Sequence, residues 1–561
     1  LRLTRFASKD ALPMQTTTGH RSSELSKSHT DLDLQSGAAL LDVPPLKKES
    51  KFQVTTPLGS AAVRGTRFYV IIRKDRAAVG VTEGLVVTTS LLGETLHHHF
   101  TLLRAIKIKR YLTLFLSVYI LIACTGDDSN SGVPENSVFD GELVWVKTFG
   151  GTNEDDAIDI VEADDGGYVV LGFTNSTDGD ITGKINPDQD YWLLKLNQGG
   201  DKIWDKTYGG SQNDQATSLS KTNDGGYIIS GYTSSFDGDV SENAGFQDYW
   251  IVKVDSQGEI QWEKSFGFVG QDQAYKVIPT TDGGYFVSGT LQVGEGGSNG
   301  EGNDVTNNNQ NSRNSQHSLG DYWGIKMDAD GNKIWRRYFG GTQADLNKDV
   351  IETDDGGYLL IGVSDSPDFD ISNAIGADDF WVIKLSATGE KVWEQSYGGF
   401  ETDRAFSIAR ADDGNYLLSG ESRSLGGDVS NPKGGGDIWI VKINASNGSI
   451  LWEKSFGGAE FDTSRGVKNL GNGSFAIAGS SRSSGGDASN NYGANDAWLL
   501  IVNENGALEY ETNIGGSDID FGNNVTGTSN NEIVFVGSTL SNDFDIPLNK
   551  GDKDVLIFKM R

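Results

Sequence analysis

Cysteine is nearly absent from this chain: among 561 residues there is one, Cys124. A disulfide framework or a thiolate metal site within the chain is therefore excluded. Histidine is almost as scarce, and after Cys124 only His317 remains. That excludes a His-based dyad, a triad or a multi-His metal centre in the larger part of the chain. The trio His97-His98-His99 has no partner ligands at useful spacing. Proline is rare (10) while glycine is plentiful (73), which suits many short strands joined by tight turns. Positive charge is also short in supply. Residues 1–124 carry 17 Lys+Arg against 9 Asp+Glu, which leaves 30 against 69 for the rest. A field of that sign disfavours nucleic acid and favours solubility and cations, so no nucleic-acid partner is expected. Long apolar runs are missing too. The longest, Tyr111 to Ala123, has 13 residues, too short to span a bilayer comfortably.

That run follows a basic segment, Lys107-Ile-Lys-Arg110, and so has the flanks of a signal peptide. Leu121-Ile-Ala-Cys124 at its end resembles the lipobox of bacterial lipoprotein signals. The resemblance implies cleavage before Cys124, lipidation of that cysteine with palmitate-type acyl chains, and membrane anchoring without a transmembrane helix. Asp127-Asp128 just beyond resemble signals that carry lipoproteins to the outer cell surface. The expected location is thus the cell envelope, on the outer membrane and facing outward. Residues 105–123 read as signal peptide and 124–141 as the lipidated cysteine with a flexible acidic tether. Residues 1–104 begin with Leu, show no repeat and have a basic balance. They are set aside as an upstream extension or a disordered segment.

From about residue 142 to 561 the chain repeats. Asp165-Gly-Gly-Tyr168 returns at 224–227, 282–285 and 355–358, becomes Asp-Gly-Asn-Tyr at 413–416, and survives in worn form at 471–475 and 530–535. Two columns keep step with it. Trp-x-x-x-(Phe/Tyr)-Gly-Gly starts at Trp145, Trp204, Trp262, Trp335, Trp393 and Trp452, with Tyr510 seventh. Asp-x-Trp starts at Asp190, Asp248, Asp321, Asp379, Asp437 and Asp496, closing with Asp554, at intervals of 58, 73, 58, 58, 59 and 58. Seven copies define a repeat architecture. Each copy predicts four strands, in the first one over 155–163, 168–174, 191–196 and 202–208, with Gly supplying the positive φ of the hairpin turns. The fold class is therefore all-β: a seven-bladed β-propeller of four-stranded antiparallel blades. Residues 142–149 form a spare fourth strand, and the last copy lacks one. Pairing them would close the ring and hide two sheet edges.

The run Asp-x-Trp, Lys, Gly, Trp, (Phe/Tyr)-Gly-Gly, Asp-Gly-Gly-Tyr, Gly-x-Thr resembles the SBBP-type β-propeller repeat of bacterial surface and secreted proteins. That resemblance spans about 142–561 and implies a scaffold rather than an activity. Copies six and seven lose Asp-Gly-Gly-Tyr, and copy seven loses both tryptophans.

Four residue sets compete for function. All 12 tryptophans fall in the two columns, as packing between blades requires. An Asp follows each Gly-Gly by four residues: Asp155, Asp214, Asp272, Asp345, Asp403, Asp462 and Asp520. Such a ring could gather Ca²⁺ at one channel mouth; capping of the Gly-rich turns is the preferred reading. The loop between second and third strands carries Asp178-Gly-Asp180, Asp237-Gly-Asp239 and similar pairs, without the closing Glu of a complete calcium loop. Finally, Arg404, Arg423, Arg465 and Arg482 are basic departures in an acidic domain, suited either to an anionic group such as a uronate or sulfate or to surface salt bridges.

The loop face also bears an insertion of about 15 residues within 292–320. A carboxylate-pair glycosidase is the one enzyme class left open, with no catalytic residue to assign. No cofactor is required; Ca²⁺ is the one considered. The expected role is a monomeric envelope lipoprotein whose propeller binds or scaffolds a protein partner. Carbohydrate capture is the alternative.

Overall fold

Each Asp-Gly-Gly-Tyr turn places Gly in the left-handed region, with φ of 74° at Gly166 and 79° at Gly225, so the chain reverses there at no Cβ cost. In the computed structural model these turns join strands that build seven antiparallel four-stranded sheets. The described residues are 139–268, 270–292 and 320–561, plus nine strands between residues 2 and 100. Cys124 and its flanks, most of the 292–320 insertion and His317 lie outside them.

The first blade comprises Asp155–Glu162, Tyr168–Thr174, Asp190–Leu196 and Lys202–Tyr208. Blades 2 to 6 repeat the order. The seventh is composite: Asp520–Gly527, Ile533–Thr539 and Asp554–Met560 are completed by Leu143–Phe149. Phe149 pairs with Val555 and Lys147 with Ile557. Beyond the last strand, Arg561 and Glu142 exchange two backbone hydrogen bonds of 3.0 Å and form an ion pair. Among the described residues no helix is present.

The second and third strands of the first blade are buried along their whole length, as strands covered on both faces must be. Six tryptophans of the Asp-x-Trp column (Trp192, Trp250, Trp323, Trp381, Trp439 and Trp498) rank among the largest fully buried side chains. Tyr191 leans on Trp250 of the next blade with ring centroids 4.7 Å apart, and its hydroxyl donates to the Trp250 carbonyl. The outer tryptophans pack forward as well: Trp204 lies against Gly258 and Trp335 against Gly389, both in the next blade's turn. Both columns thus hold blade to blade, as their periodicity implied.

The Lys of the repeat also finds its role. Lys195, Lys253, Lys326, Lys384 and Lys442 are buried and reach Asp165, Asp224, Asp282, Asp355 and Asp413 of the turns at 2.7–2.9 Å. Blade 6 loses both partners together, with Asn472 and Ile501 at those positions. Blade 7 replaces the acid by Glu532, 2.6 Å from Lys559.

Residues 1–104, set aside from the fold on sequence grounds, carry strands. One sheet joins Arg2–Arg5, Gly37–Asp42, Arg67–Ile72 and Ala77–Val81; the other joins His29–Asp33, Lys51–Thr56, Gly59–Gly65, Gly84–Ser90 and Thr95–Phe100. The chain divides into two compact units, Leu1–Gly132 and Val133–Arg561.

Candidate binding channel and loop face

The first strand of every blade lines the channel, and every one carries the same irregularity. Its register slips after the third residue, between Ala157 and Asp159 in blade 1 and between Asn347 and Asp349 in blade 4. A bulge of this kind re-aims a side chain. The residues turned out of the ladder are Ile158, Thr217, Tyr275, Lys348, Phe406, Arg465 and Asn523. Opposite each bulge stands a glycine, that of Gly-x-(Thr/Ser) in six blades and Gly289 of Gly-Thr-Leu in blade 3, because a Cβ at Gly172 would lie 1.7 Å from the Asp156 carbonyl oxygen. A lone glycine within a strand signals a bulge or a close backbone approach. The glycine column is visible in the sequence; which side chain each bulge turns into the channel depends on the strand pairing.

The seven bulged residues share no chemistry; here the repeat stops constraining the sequence. Lys348 Nζ sits 3.9 Å from the centroid of the Tyr275 ring, and Arg465 Cζ sits 4.5 Å from that of Phe406. Burial, and then the charges of Arg465 and Arg404, bring Lys348 down to about 8. Desolvation by the surrounding blades likewise lowers Arg465, although its side chain stays open to the channel. One residue past the bulge, Lys276 of blade 3 reaches Asp159 of blade 1 at 3.3 Å, a contact that skips blade 2 and so crosses the channel. Burial opposes the Lys276 charge, yet Asp159 and Asp349 outweigh it and raise its pKa. Asp159 also accepts from the Leu219 amide, and Asp349 from that of Ile408. In this deeper layer Lys276 and Lys468 stand against Asp159 and Asp349, two charges of each sign.

The acids singled out from the sequence clasp the turns. Consecutive amides of the first Gly-Gly turn each meet a side chain: Gly150 donates to Asp180, Gly151 to Asp155, Thr152 to Asp178 and Asn153 to Ser176 Oγ, at 2.7–3.0 Å. The second turn repeats this through Asp239, Asp214, Asp237 and Ser235. Asp345, Asp403, Asp462 and Asp520 take the same amide in later blades, and Asp272 takes that of Phe268. All seven ring carboxylates are fully buried, with one oxygen committed to the turn. Burial lifts Asp272 and Asp345 to about 7. No group of three or more metal-ligating side chains occurs among the described residues. The arrangement is the turn-capping one, and it leaves these oxygens engaged with the protein itself, Asp403 Oδ1 excepted.

The Asp-x-Trp acids lie beside that ring. Asp379 and Asp496 accept backbone amides at 2.7 Å through one oxygen, while the other is buried without a partner. Burial raises Asp248, Asp379, Asp496 and Asp554 to about 6 and Asp190 to about 7.

The four arginines divide. Arg404 donates from Nε and Nη2 to a single oxygen of Asp378 at 2.9 and 2.7 Å, the salt-bridge role. Arg423 and Arg482, from adjacent blades, both stack on Phe461 at 5.2 and 5.8 Å. Arg465 alone enters the channel, next to the unforeseen Lys348. Around the channel mouth the loops expose apolar side chains: Phe400 is 81% exposed, Leu425 79% and Phe246 74%. Ile185, Phe236 and Leu548 are exposed in the corresponding loops, and Phe544 stacks with Tyr492 at 5.3 Å.

Comparison with known proteins adds the following. A family model described as FecR protein matches residues 11–87, within the N-terminal unit. The Regulatory protein FlaEY of Caulobacter vibrioides is 22% identical over 334 residues, 55% of this chain; the chain spans 32% of that relative's length. Among solved structures, BamB from Moraxella catarrhalis is 14% identical with a TM-score of 0.35, covering 75% of this chain and 100% of that one. YCF48 bound to a D1 peptide is 10% identical with a TM-score of 0.39, covering 77% and 99%.

Proposed function

We propose that this chain is a bacterial cell-envelope lipoprotein, tethered through Cys124, whose propeller serves as a docking platform for a protein partner. The observation that carries the reading is the set of exposed Phe, Leu and Ile side chains on the loop face. Apolar side chains concentrated on one face and rimmed by polar loops mark interaction surfaces, and a closed propeller keeps such loops fixed relative to one another. Leu425, Ile185 and Leu548 offer no ring for a sugar to stack on, which favours a protein over a glycan on this face. The acids beneath are engaged with their own turns, so they act as scaffold.

A photo-crosslinking residue placed at Phe236, Phe400 or Phe544 in cells should give one discrete adduct. The same residue at Asn530 or Asp330, in the hairpin turns of the opposite face, should give none. Adducts of equal yield from both faces, or none from either, reject the platform. Labelled palmitate should enter the wild-type chain and not the Cys124→Ser variant; label retained in that variant rejects the anchor.

A further inference from the structure

The channel carries positive charge that, among the described residues, no wall carboxylate pairs with directly. Lys348 in blade 4 and Arg465 in blade 6 both stand on bulged positions. Each lies over an aromatic ring of the preceding blade, Tyr275 or Phe406, rather than beside a carboxylate. Among the described residues neither makes an ion pair. Glu421 and Asp156 act on Arg465 only through space, and on Lys348 the acting charges are the cations Arg465 and Arg404. After Cys124 the chain holds 69 acids against 30 bases, so unpaired cations are not explained by a shortage of partners. One residue deeper, Lys276 is answered by Asp159. The contrast lies between two adjacent layers of one channel.

We propose that this upper layer binds a small oxyanion, a carboxylate or phosphate group, between Lys348 and Arg465. A guanidinium stacked on a ring keeps its N–H edge free for planar, two-point recognition of an oxyanion, and an ammonium over a ring still has donors to direct elsewhere. Low-dielectric walls strengthen such charge-assisted bonds, and an inward positive spot in an acidic shell draws single anionic groups to it. Arg404, already held by Asp378, adds field without taking the ligand. The site stands apart from the loop-face reading and survives its failure.

Isothermal titration of the full chain with inorganic phosphate, citrate and galacturonate tests it at low ionic strength. One probe at least should bind saturably and one to one. Lys348→Met and Arg465→Gln should each weaken that binding about tenfold or more, while Lys348→Arg stays close to wild type. Phosphate alone would point to phosphate esters, and citrate or galacturonate to organic acids or acidic sugars. No saturable binding of any probe, or equal affinity in both neutralised variants, overturns the proposal. Arg465 is open to the channel, so its variant carries the test if Lys348→Met does not fold.

Discussion

The turn clasps and the channel are built from the same strands, yet they obey opposite rules. In the clasp the fourth residue after Gly-Gly is Asp in all seven blades, fully buried and bound to the same turn amide each time. Three residues further along the strand, the bulged position is Ile, Thr, Tyr, Lys, Phe, Arg or Asn. Buried polar groups must be satisfied in every blade, or each blade pays the desolvation of an unmet amide. A side chain facing channel water has no such debt, so its identity is free to differ. Repetition therefore marks what holds this protein together, and its local loss marks where ligand chemistry can reside.

The largest expected effect tests the clasp. Asp214→Ala strands the Gly210 amide and the Thr233 hydroxyl in a dry site, and urea unfolding should show a loss of about 3–5 kcal/mol. Lys348→Met in the channel should cost less than about 1 kcal/mol, because it also removes repulsion among like charges. A clasp variant as mild as the channel variant would erase the distinction.

Next in size is a graft into the irregular blade. Ile501→Lys places a buried charge where the blade 6 turn offers Asn472 in place of Asp, and should cost about 2–3 kcal/mol. Adding Asn472→Asp should recover more than half of that, since Asn472 occupies the turn position of Asp165. A double-mutant cycle measures the coupling directly.

Smaller again is a dependence on pH. Buried Asp190, Asp272 and Asp345 lie near 7, and Asp248, Asp379, Asp496 and Asp554 near 6, all above the unfolded 3.8. The native state keeps protons that the unfolded chain releases, so this stability is complete below about pH 4 and is lost as pH rises through 6 and 7. Asp224, Asp282 and Asp355 run the other way. Their lysine and threonine hydrogen bonds, working against partial burial, hold them near 2, so their contribution is present above about pH 4 and fades as pH falls toward 2. The melting midpoint should peak at about pH 4–5 and decline toward pH 8. A profile that rises steadily to pH 8 would show that the clasp acids are ionised in the native state.

The smallest effect belongs to the arginines outside the channel. Arg423 shares Phe461 with Arg482, so Arg423→Ala should change stability by about 0.5 kcal/mol and leave channel anion binding untouched.

Much of this was readable beforehand because the repeat enforces it. Strand limits in the first blade agree with the structure to within a residue, since Gly and Asp at fixed offsets leave few other turns. The composite seventh blade was readable from a spare strand at one end of the repeats and a missing one at the other. Periodicity could not supply the partner of each polar column: that Lys195 meets Asp165, or that Arg423 and Arg482 meet on Phe461, depends on strands distant in sequence. The N-terminal unit was missed for a related reason. Its short β-rich runs, such as Arg67–Ile72 and Gly84–Ser90, do not repeat, so nothing amplified their signal.

By itself the sequence determined the number of blades, their four-strand plan and the residues reserved for packing, because a local pattern copied seven times admits one closed solution. Only the tertiary structure decided which side chains look into the channel. That choice rests on a bulge in each innermost strand and on contacts across the ring, such as Lys276 to Asp159, which exist once distant blades have closed around a common axis.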